Sequence, residues 1–221
     1  TLLGDPALCL AYPELNVSTT SISDTISALG EVTISGQIED ENGVFVSDFN
    51  GLVFPTVFDK EEIMNTLGQE TSTPMPFRSQ INILYKGSAT VNNGVFSFSF
   101  VVPKDIAYNF GDGRISYYAI SNDSLIDASG YDESFTIGGT ASNITPDYDG
   151  PEIDLFINND QFISGGICNQ DPMLFALLTD FSGINTVGNG IGHDIVAILD
   201  EETNQSISLN EYYSADIDSY K

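Results

Sequence analysis

Strict alternation of apolar and polar residues is the feature that most constrains the fold of this chain. The run VFSFSFVV at residues 95–102 places Phe96, Phe98 and Phe100 on one side of an extended backbone, because successive side chains of a strand point to opposite faces. Residues 32–39, VTISGQIE, alternate in the same way. Both segments predict β-strands with one buried face, and the phenylalanine pattern favours core packing.

Further short strands are predicted between turns at near-regular spacing. Asn-Gly pairs at 42–43 and 93–94 predict tight turns, the first leading into a strand at 44–46. Helical pattern is scarce, and residues 59–67 predict at most one or two helical turns. Many short strands of this kind indicate an all-β chain of β-sandwich type. The other strands are predicted at residues 8–12, 52–58, 81–86, 114–121, 134–137, 153–157, 173–179, 194–200 and 206–210.

A domain boundary is predicted at residues 138–151, GGTASNITPDYDGP, where Gly, Pro, Ser and Thr replace the strand pattern. We therefore expect one β-sandwich at 16–146 and a second at 147–221. The second has few predicted strands, so it is either small or incomplete. Residues 69–76 are interpreted as an irregular surface excursion within the first sandwich.

The strongly negative net charge of the chain disfavours several classes of partner. The chain carries 32 Asp and Glu residues against 6 Lys and Arg, a formal net charge of −26. Binding to nucleic acid or to anionic membranes rests on cationic side chains, so both are disfavoured. No apolar run approaches the roughly 18 residues that a membrane span needs. Low Lys and Arg content with abundant Ser, Thr, Asn and Gly favours an extracytoplasmic protein.

Two cysteines, Cys9 and Cys168, are too far apart in sequence for a zinc or redox motif. Both lie beside apolar residues, which favours buried free thiols. A disulfide between them is the alternative, and it requires the two segments to be neighbours in space.

Several longer motifs resemble a known family. The opening LLGDPAL at 2–8, followed by LAYP at 10–13, resembles the end of the peptidase domain in gingipain-type cysteine peptidases. Residues 94–106 and 111–119 resemble the immunoglobulin-like region that follows that domain. Four later segments are similar to the C-terminal part of the type IX secretion system sortases of the Bacteroidetes: DGPEI at 149–153, DFSGIN at 180–185, GIGHDI at 190–195 and LN at 209–210.

This resemblance implies two immunoglobulin-like β-sandwich domains in tandem. It implies a preceding peptidase domain whose terminal strand and linker lie at 1–15, and more β-structure after the second sandwich. Enzymes of this family remove C-terminal sorting domains from secreted cargo and link the cargo to anionic lipopolysaccharide at the cell surface. Their catalytic His and Cys lie in the peptidase domain, and no position here matches them.

The resemblance therefore implies a non-catalytic region that supports or docks a cell-surface sortase. Its expected partners are its own upstream peptidase domain and either secretion-system attachment proteins or cargo sorting domains. Neither nucleic acid nor a direct membrane span is expected.

His193, the only histidine, is the one candidate for imidazole chemistry. Asp194 follows it directly, but neighbours on a strand point to opposite faces, so Asp194 would not orient the ring. A dyad with Cys9 or Cys168 requires a semi-exposed thiolate, and their apolar surroundings disfavour one. We favour a structural turn at 183–195, in which His193 bonds to loop backbone.

One metal site is predicted. Asp147, Asp149 and Asp154 cluster at the domain boundary, and calcium takes six to eight oxygen ligands. The alternative is an Asx turn, in which the carboxylates bond to nearby backbone amides. The glycines at 188–192 precede a strand and lack a P-loop lysine, so no nucleotide is expected, and structural calcium is the only cofactor considered.

The alternative function is a carbohydrate-binding or adhesion module of a surface glycan system. The aromatic candidates for stacking on sugar are Phe96, Phe98, Phe100, Tyr117 and Tyr118, although the phenylalanine alternation favours core packing and the absence of Trp weakens this hypothesis. The acidic pairs at 61–62 and 201–202 lie on polar turns and are poor glycosidase candidates, since catalysis needs carboxylates facing each other across a cleft. An independent hydrolase using His193 is the third hypothesis.

Overall fold

A computed structural model of the chain describes residues 12–69, 72–142, 144, 147–185, 194–200 and 206–220. These residues form β-strands and contain no α-helix, so the predicted all-β class is confirmed. The strands as far as residue 101 are β1 Leu15–Ser21, β2 Thr25–Ala28, β3 Glu31–Glu39, β4 Gly51–Phe58, β5 Glu62–Asn65, β6 Pro76–Ser79, β7 Ile83–Lys86, β8 Ala89–Val91 and β9 Val95–Val101. The later strands are β10 Gly111–Asp112, β11 Arg114–Ser121, β12 Asp127–Asp132, β13 Thr136–Thr140, β14 Glu152–Ile157, β15 Leu174–Thr179, β16 Val196–Ala197 and β17 Ile207–Ser208.

The main sheet has eight strands and is nearly closed. Its order is β7-β4-β11-β12-β1-β3-β9, and β8 also pairs with β4. β1 and β12 run parallel, while the other pairs are antiparallel. The sheet curls until its ends meet. Tyr85 of β7 stacks on Phe98 and Phe100 of β9, with ring centroids 5.4 and 4.9 Å apart. The line along which β7 and β9 meet is called the seam below.

The alternating residues of β3 and β9 form much of the inner face. The three phenylalanines of β9 are buried, and so are Ile34 and Ile38 of β3. On the outer face the same two strands carry hydroxyls, such as Thr33 and Ser99, whose oxygens lie 2.8 Å apart. Core packing of the phenylalanines is therefore confirmed. Burial of each such side chain stabilises the fold by about 1.5–3 kcal/mol.

A smaller sheet, β10-β13-β2, covers the core from the other side. Ile26 of β2 and Ile137 of β13 belong to the same buried cluster as Tyr117 of the main sheet. The Tyr117 hydroxyl lies 2.8 Å from that of Thr19, which satisfies its polar end inside the core.

The predicted turn at 93–94 is confirmed. Asn93 and Gly94 have φ values of 50° and 76°, and a type I′ turn requires positive φ at both positions. A Cβ at Gly94 would lie 2.1 Å from the carbonyl oxygen of Val46, so the position also requires the absence of a side chain.

The strand predicted at 44–46 is wrong. The Asp40 carboxylate accepts hydrogen bonds from the amides of Asn42 and Val44, at 2.8 and 2.9 Å. These bonds curl the chain after Glu39, and only an isolated bridge between Glu39 and Phe45 remains.

The helical turns predicted at 59–67 are also wrong. β5 leaves the main sheet and pairs with β6 as an antiparallel arm. A helical turn of this length has too few internal hydrogen bonds to persist, whereas pairing with β6 satisfies the backbone along the strand. Of residues 69–76, the described Gln69 and 72–75 lie between β5 and β6, and Pro76 begins β6.

After residue 147 the described chain forms two hairpins, β14 with β15 and β16 with β17. Apolar side chains of the first hairpin, including Ile153, Leu155 and Leu174, are exposed, and a two-stranded hairpin is only marginally stable by itself. Two immunoglobulin-like sandwiches in tandem therefore stay a prediction, as do the domains 1–15, 16–146 and 147–221. Within the described ranges, no helix is long and apolar enough to cross a membrane.

Candidate functional site

One of the three predicted calcium ligands, Asp147, has hydrogen-bond partners within the chain. Asp147 accepts hydrogen bonds from the Asp149 amide at 3.1 Å and from the Ser182 hydroxyl at 2.5 Å. These bonds lower the pKa of Asp147, and the Ser182 hydroxyl is the main cause. Asp154 lies on β14 opposite Leu177. In the part of the chain that the structure describes, no group of three or more His, Cys, Asp or Glu is placed to hold a metal. Asp147 has the Asx-turn geometry, and calcium stays a prediction.

Some of the remaining catalytic candidates lie within the described residues, and others lie outside them. Cys9, His193, Glu201 and Glu202 lie outside the described residues, so their roles stay predictions. Cys168 is a free, exposed thiol in the loop between β14 and β15, and its predicted burial is wrong. Its apolar neighbour Ile167 is exposed in a surface loop and does not belong to a strand that enters a core.

Residues 213–220, here called the clasp, return to the main sheet from the hairpins. The Ala215 amide donates to the carbonyl of the last residue of β7 at 2.8 Å, and the Asp218 amide donates to that of Ser88 at 3.0 Å. Ile217 forms a parallel bridge with Ser88. The clasp therefore adds a short strand beside β7 and β8, a contact that the sequence did not predict.

Asp218 fixes the clasp through its side chain. Its carboxylate accepts hydrogen bonds from the Thr90 amide at 2.8 Å and from the Thr90 hydroxyl at 2.6 Å. Asp218 has φ +55°, a left-handed conformation in which Asp is enriched among non-glycine residues. One residue thus supplies both the backbone bend and the anchoring acceptor.

Two tyrosines of the clasp cover the seam. Tyr213 and Tyr220 line a shallow cavity together with Tyr85 and Phe100. Burial raises the pKa of Tyr85 to about 12 and also raises the pKa of Tyr213. These phenols are therefore neutral at physiological pH, as packing against the aromatic seam requires.

The DFSGIN motif, which follows β15, makes another contact with the first part of the chain, at the turn after β9. The Asp180 carboxylate accepts a hydrogen bond from the Ser182 amide at 2.7 Å, and Gly183 turns the chain with φ 78°. The Asn185 side-chain amide then donates to the Asp105 carboxylate at 2.6 Å. The motif that contributes to the family resemblance is thus a turn that joins two parts of the chain.

A buried ion pair lies at the foot of the arm. The Lys60 ammonium is 2.7 Å from the Asp59 carboxylate, and both side chains are less than a tenth exposed. The Asp59 amide donates to the carbonyl of Asn82 at 2.8 Å, and the Asn82 side chain donates to Glu62 at 2.8 Å. These contacts fix the arm to the sheet. They could not be predicted from the sequence, because this stretch is mostly charged.

An aromatic row lies on the outer face of β4, β11 and β12. The rings of Phe54 and Tyr118 stack with centroids 6.3 Å apart, and the two side chains are 39% and 41% exposed. Tyr131, 73% exposed, lies on the same face of the neighbouring strand. The Tyr118 hydroxyl donates to Asp127 over 3.4 Å. Such a face can stack a sugar ring or the side chains of a protein partner.

Together the fold and its contacts define an all-β protein region, in which a nearly closed sheet is joined to hairpins by a clasp. One solved structure shows which known protein this region resembles. The crystal structure of dimeric latent PorU from Porphyromonas gingivalis matches 98% of this chain, at 32% sequence identity and a TM-score of 0.61. The chain is PorU-like, and it spans 21% of the length of that PorU chain. No family model and no curated protein matches it.

Other solved structures are more distant. The sporulation control protein Spo0M from Bacillus subtilis shares 16% identity over 58% of this chain and 51% of its own, with a TM-score of 0.35. A conjugative transposon lipoprotein from Bacteroides eggerthii shares 14% identity over 58% of this chain and all of its own, with a TM-score of 0.26. Similarity at this level supports no assignment.

Proposed function

We propose that this chain is a non-catalytic region of a cell-surface sortase related to the gingipain-type cysteine peptidases. It supports the peptidase domain and docks it to its partners in type IX secretion. The observation that carries the proposal is the similarity to dimeric latent PorU over 98% of the chain. The expected location is the outer surface of the cell.

The contacts within the chain support a scaffolding role. Two contacts join the hairpin region to the first part of the chain. The clasp reaches β8 through Asp218, and the DFSGIN turn reaches the turn after β9 through Asn185. Exposed apolar side chains on the arm and on the β14–β15 hairpin offer area for protein contacts, since such patches mark interaction sites. Leu67 and Met75 near the end of the arm are 86% and 68% exposed.

The non-catalytic part of the proposal is tested with the isolated chain and a peptide from a cargo sorting domain. We expect no cleavage and no transfer to an amine acceptor, by mass spectrometry of the products. The matched variants are His193→Ala and Asn189→Ala. Turnover by the wild-type chain that disappears only in His193→Ala would make this chain an enzyme.

The docking part is tested by surface binding. The chain is passed over an immobilised cargo sorting domain, an attachment protein of the secretion system, and the upstream peptidase domain. We expect saturable binding to at least one of them, weakened by Leu67→Ser with Met75→Ser. Leu125→Ser, 82% exposed elsewhere on the chain, is the matched control. Absence of binding to all three surfaces would refute a docking role.

A second candidate function is sugar binding on the aromatic row. The observation that favours it is the exposed stack of Phe54 and Tyr118, with Tyr131 beside it. A glycan array tests it directly. Binding that is lost in Tyr118→Ala but kept in Tyr148→Ala, 92% exposed elsewhere, would support this function. An array without signal would remove it.

A further inference from the structure

The outer face of β7, β4 and β11 differs in charge from the chain as a whole. These three strands contain no Asp or Glu, although the chain has 32 acidic residues. They carry two of its six basic residues, Lys86 at the end of β7 and Arg114 at the start of β11. Positive charge within a strongly acidic chain indicates a ligand of the opposite charge. This surface is called the basic face below.

The two cations of the basic face have no acidic partner of their own. Neither Lys86 nor Arg114 forms an ion pair in the part of the chain that the structure describes. The clasp beside β7 carries two acids, but Asp216 accepts a hydrogen bond from the amide that follows it, and Asp218 bonds to Thr90. Both positive charges are therefore available to a ligand.

Arg114 is positioned to bind a carboxylate. The central carbon of its guanidinium lies 4.7 Å from the ring centroid of Phe58, its cross-strand neighbour on β4. An arginine that stacks on a ring in this way keeps its planar set of donors for a carboxylate. Its Nε is buried and has no hydrogen-bond partner among the described residues. Since an unpaired buried donor is costly, an acceptor bound to this guanidinium is favoured.

The spacing of the two cations fits two acids on one extended segment. Arg114 lies opposite Phe58 on β4, and Lys86 lies opposite Thr56 on the same strand. The two cations are therefore two strands and two residues apart, which corresponds to about 12 Å between their Cα atoms. Alternate side chains of an extended peptide are about 7 Å apart. The long side chains of Arg and Lys can close the difference.

Aromatic and apolar side chains flank the two cations. On one side lie the stacked rings of Phe54 and Tyr118. Beyond the other end of β4, the arm carries the exposed side chains of Ile63 and Phe77. Arginine together with aromatic residues is typical of the centre of a protein interface. A neutral sugar on these rings would leave both cations unpaired, whereas an acidic peptide with apolar side chains matches the charge and the rings.

We propose that the basic face binds an extended acidic segment of a protein partner. Its carboxylates pair with Arg114 and Lys86, and its apolar side chains pack on Phe54 and Tyr118. The net charge of −26 does not prevent this binding, because at physiological ionic strength exposed charges are largely screened beyond about 8 Å. This inference does not rest on the proposed function, since charge and exposure are properties of the face itself.

Selection from a random peptide library tests the chemistry of the partner. Peptides displayed on phage are first depleted on a chain that carries both Lys86→Gln and Arg114→Gln, and are then selected on the wild-type chain. We expect the enriched peptides to have a net negative charge and at least one aromatic or large aliphatic residue. Failure to enrich any peptide, or enrichment of neutral or basic peptides, would overturn the proposal.

The affinity of the most enriched acidic peptide then tests the site, by fluorescence polarisation. We expect Arg114→Gln to weaken binding about tenfold and Lys86→Gln about threefold. Arg114→Lys should fall between wild type and Arg114→Gln, because lysine keeps the charge but loses the planar donors. The matched control is Lys104→Gln, which removes an exposed cation in the turn after β9, and it should change the affinity less than about twofold. An equal loss in the control would show a general charge effect and refute the site.

Two further measurements keep this test decisive. Urea unfolding shows whether loss of the contact between Arg114 and Phe58 disturbs the fold. If it does, the exposed Lys86 decides the result, and unchanged affinity in Lys86→Gln refutes the proposal. Polygalacturonate, an anionic polysaccharide, is the competing ligand. If it binds the wild-type chain more tightly than the peptide and is lost in the same variants, the face belongs to carbohydrate and the proposal of a protein partner is wrong.

Discussion

Substitution of Asp218 distinguishes two contributions that this residue makes to the clasp. Its carboxylate accepts two hydrogen bonds from Thr90, and its backbone adopts φ +55°. Asp218→Gly removes the carboxylate but permits the backbone. Asp218→Ala removes the carboxylate and also strains the backbone. Asp218→Asn keeps one acceptor oxygen, and asparagine tolerates this backbone conformation.

The expected losses follow from these differences. Hydrogen bonds to a charged group contribute about 1.5–3 kcal/mol each in protected sites, and both of these are exposed, so we assign about 1 kcal/mol to each. The left-handed conformation costs alanine about 1 kcal/mol. We therefore expect losses of about 3 kcal/mol for Asp218→Ala, about 2 for Asp218→Gly and about 1 for Asp218→Asn.

Equilibrium unfolding in urea measures these losses, with tyrosine fluorescence as the signal because the chain has no Trp. A loss of 1 kcal/mol corresponds to about 2–4 °C in melting temperature for a domain of this size, which gives a second readout. The order of stability is the decisive result. If all three variants unfold within about 0.5 kcal/mol of the wild type, Asp218 does not hold the clasp.

Three further predictions concern the sheet, the arm and pH. Phe100→Ala should cost about 3–5 kcal/mol in urea unfolding because it opens a cavity beside Tyr85, and an equal loss for the half-exposed Val95→Ala would contradict this. Lys60→Met should cost about 3–5 kcal/mol because Asp59 is left buried without its cation, whereas Arg78→Met, from the exposed pair with Glu61, should cost less than about 1 kcal/mol. Stability should fall as pH rises from about 10 to about 12, because the pKa of Tyr85 is about 12 in the folded chain and about 10 in the unfolded chain. The unfolded chain loses this proton first. The urea midpoint measured against pH tests the last prediction, and the fall should become shallower in Tyr85→Phe.

Strands with strong alternation could be predicted from the sequence alone. The strand predicted at 114–121 has the bounds of β11, and the strands predicted at 32–39 and 95–102 agree with β3 and β9 to within one residue at each end. In these segments alternate residues enter one core, so the alternation in the sequence corresponds to the alternation of buried and exposed positions.

Strands with polar sequences could not be predicted in this way. β1, LNVSTTS, and β12, DASGYD, carry few apolar residues, yet they lie next to each other in the middle of the sheet. They are strands because their neighbours β3 and β11 offer backbone partners. A pattern within seven residues does not contain that information.

The clasp also could not be predicted from the sequence, because its partners are distant along the chain. Its anchor joins Asp218 to Thr90, which are 128 residues apart in the sequence. At the domain boundary, the sequence indicated an acidic turn around Asp147, but its hydrogen bond to Ser182 depends on how the DFSGIN turn meets that segment. Both contacts follow from chain topology, which local sequence does not specify.

Under the proposed function, this chain supports chemistry that an upstream peptidase domain carries out. The most direct measurement compares wild type and His193→Ala in a protein that also contains the upstream peptidase domain, by kcat/KM for cleavage of a cargo sorting-domain peptide. We predict values equal to within about twofold, since loss of a general base typically costs about a hundredfold or more. A fall of that size, with the fold and the binding of partners unchanged, would place the reaction in this chain and contradict the account.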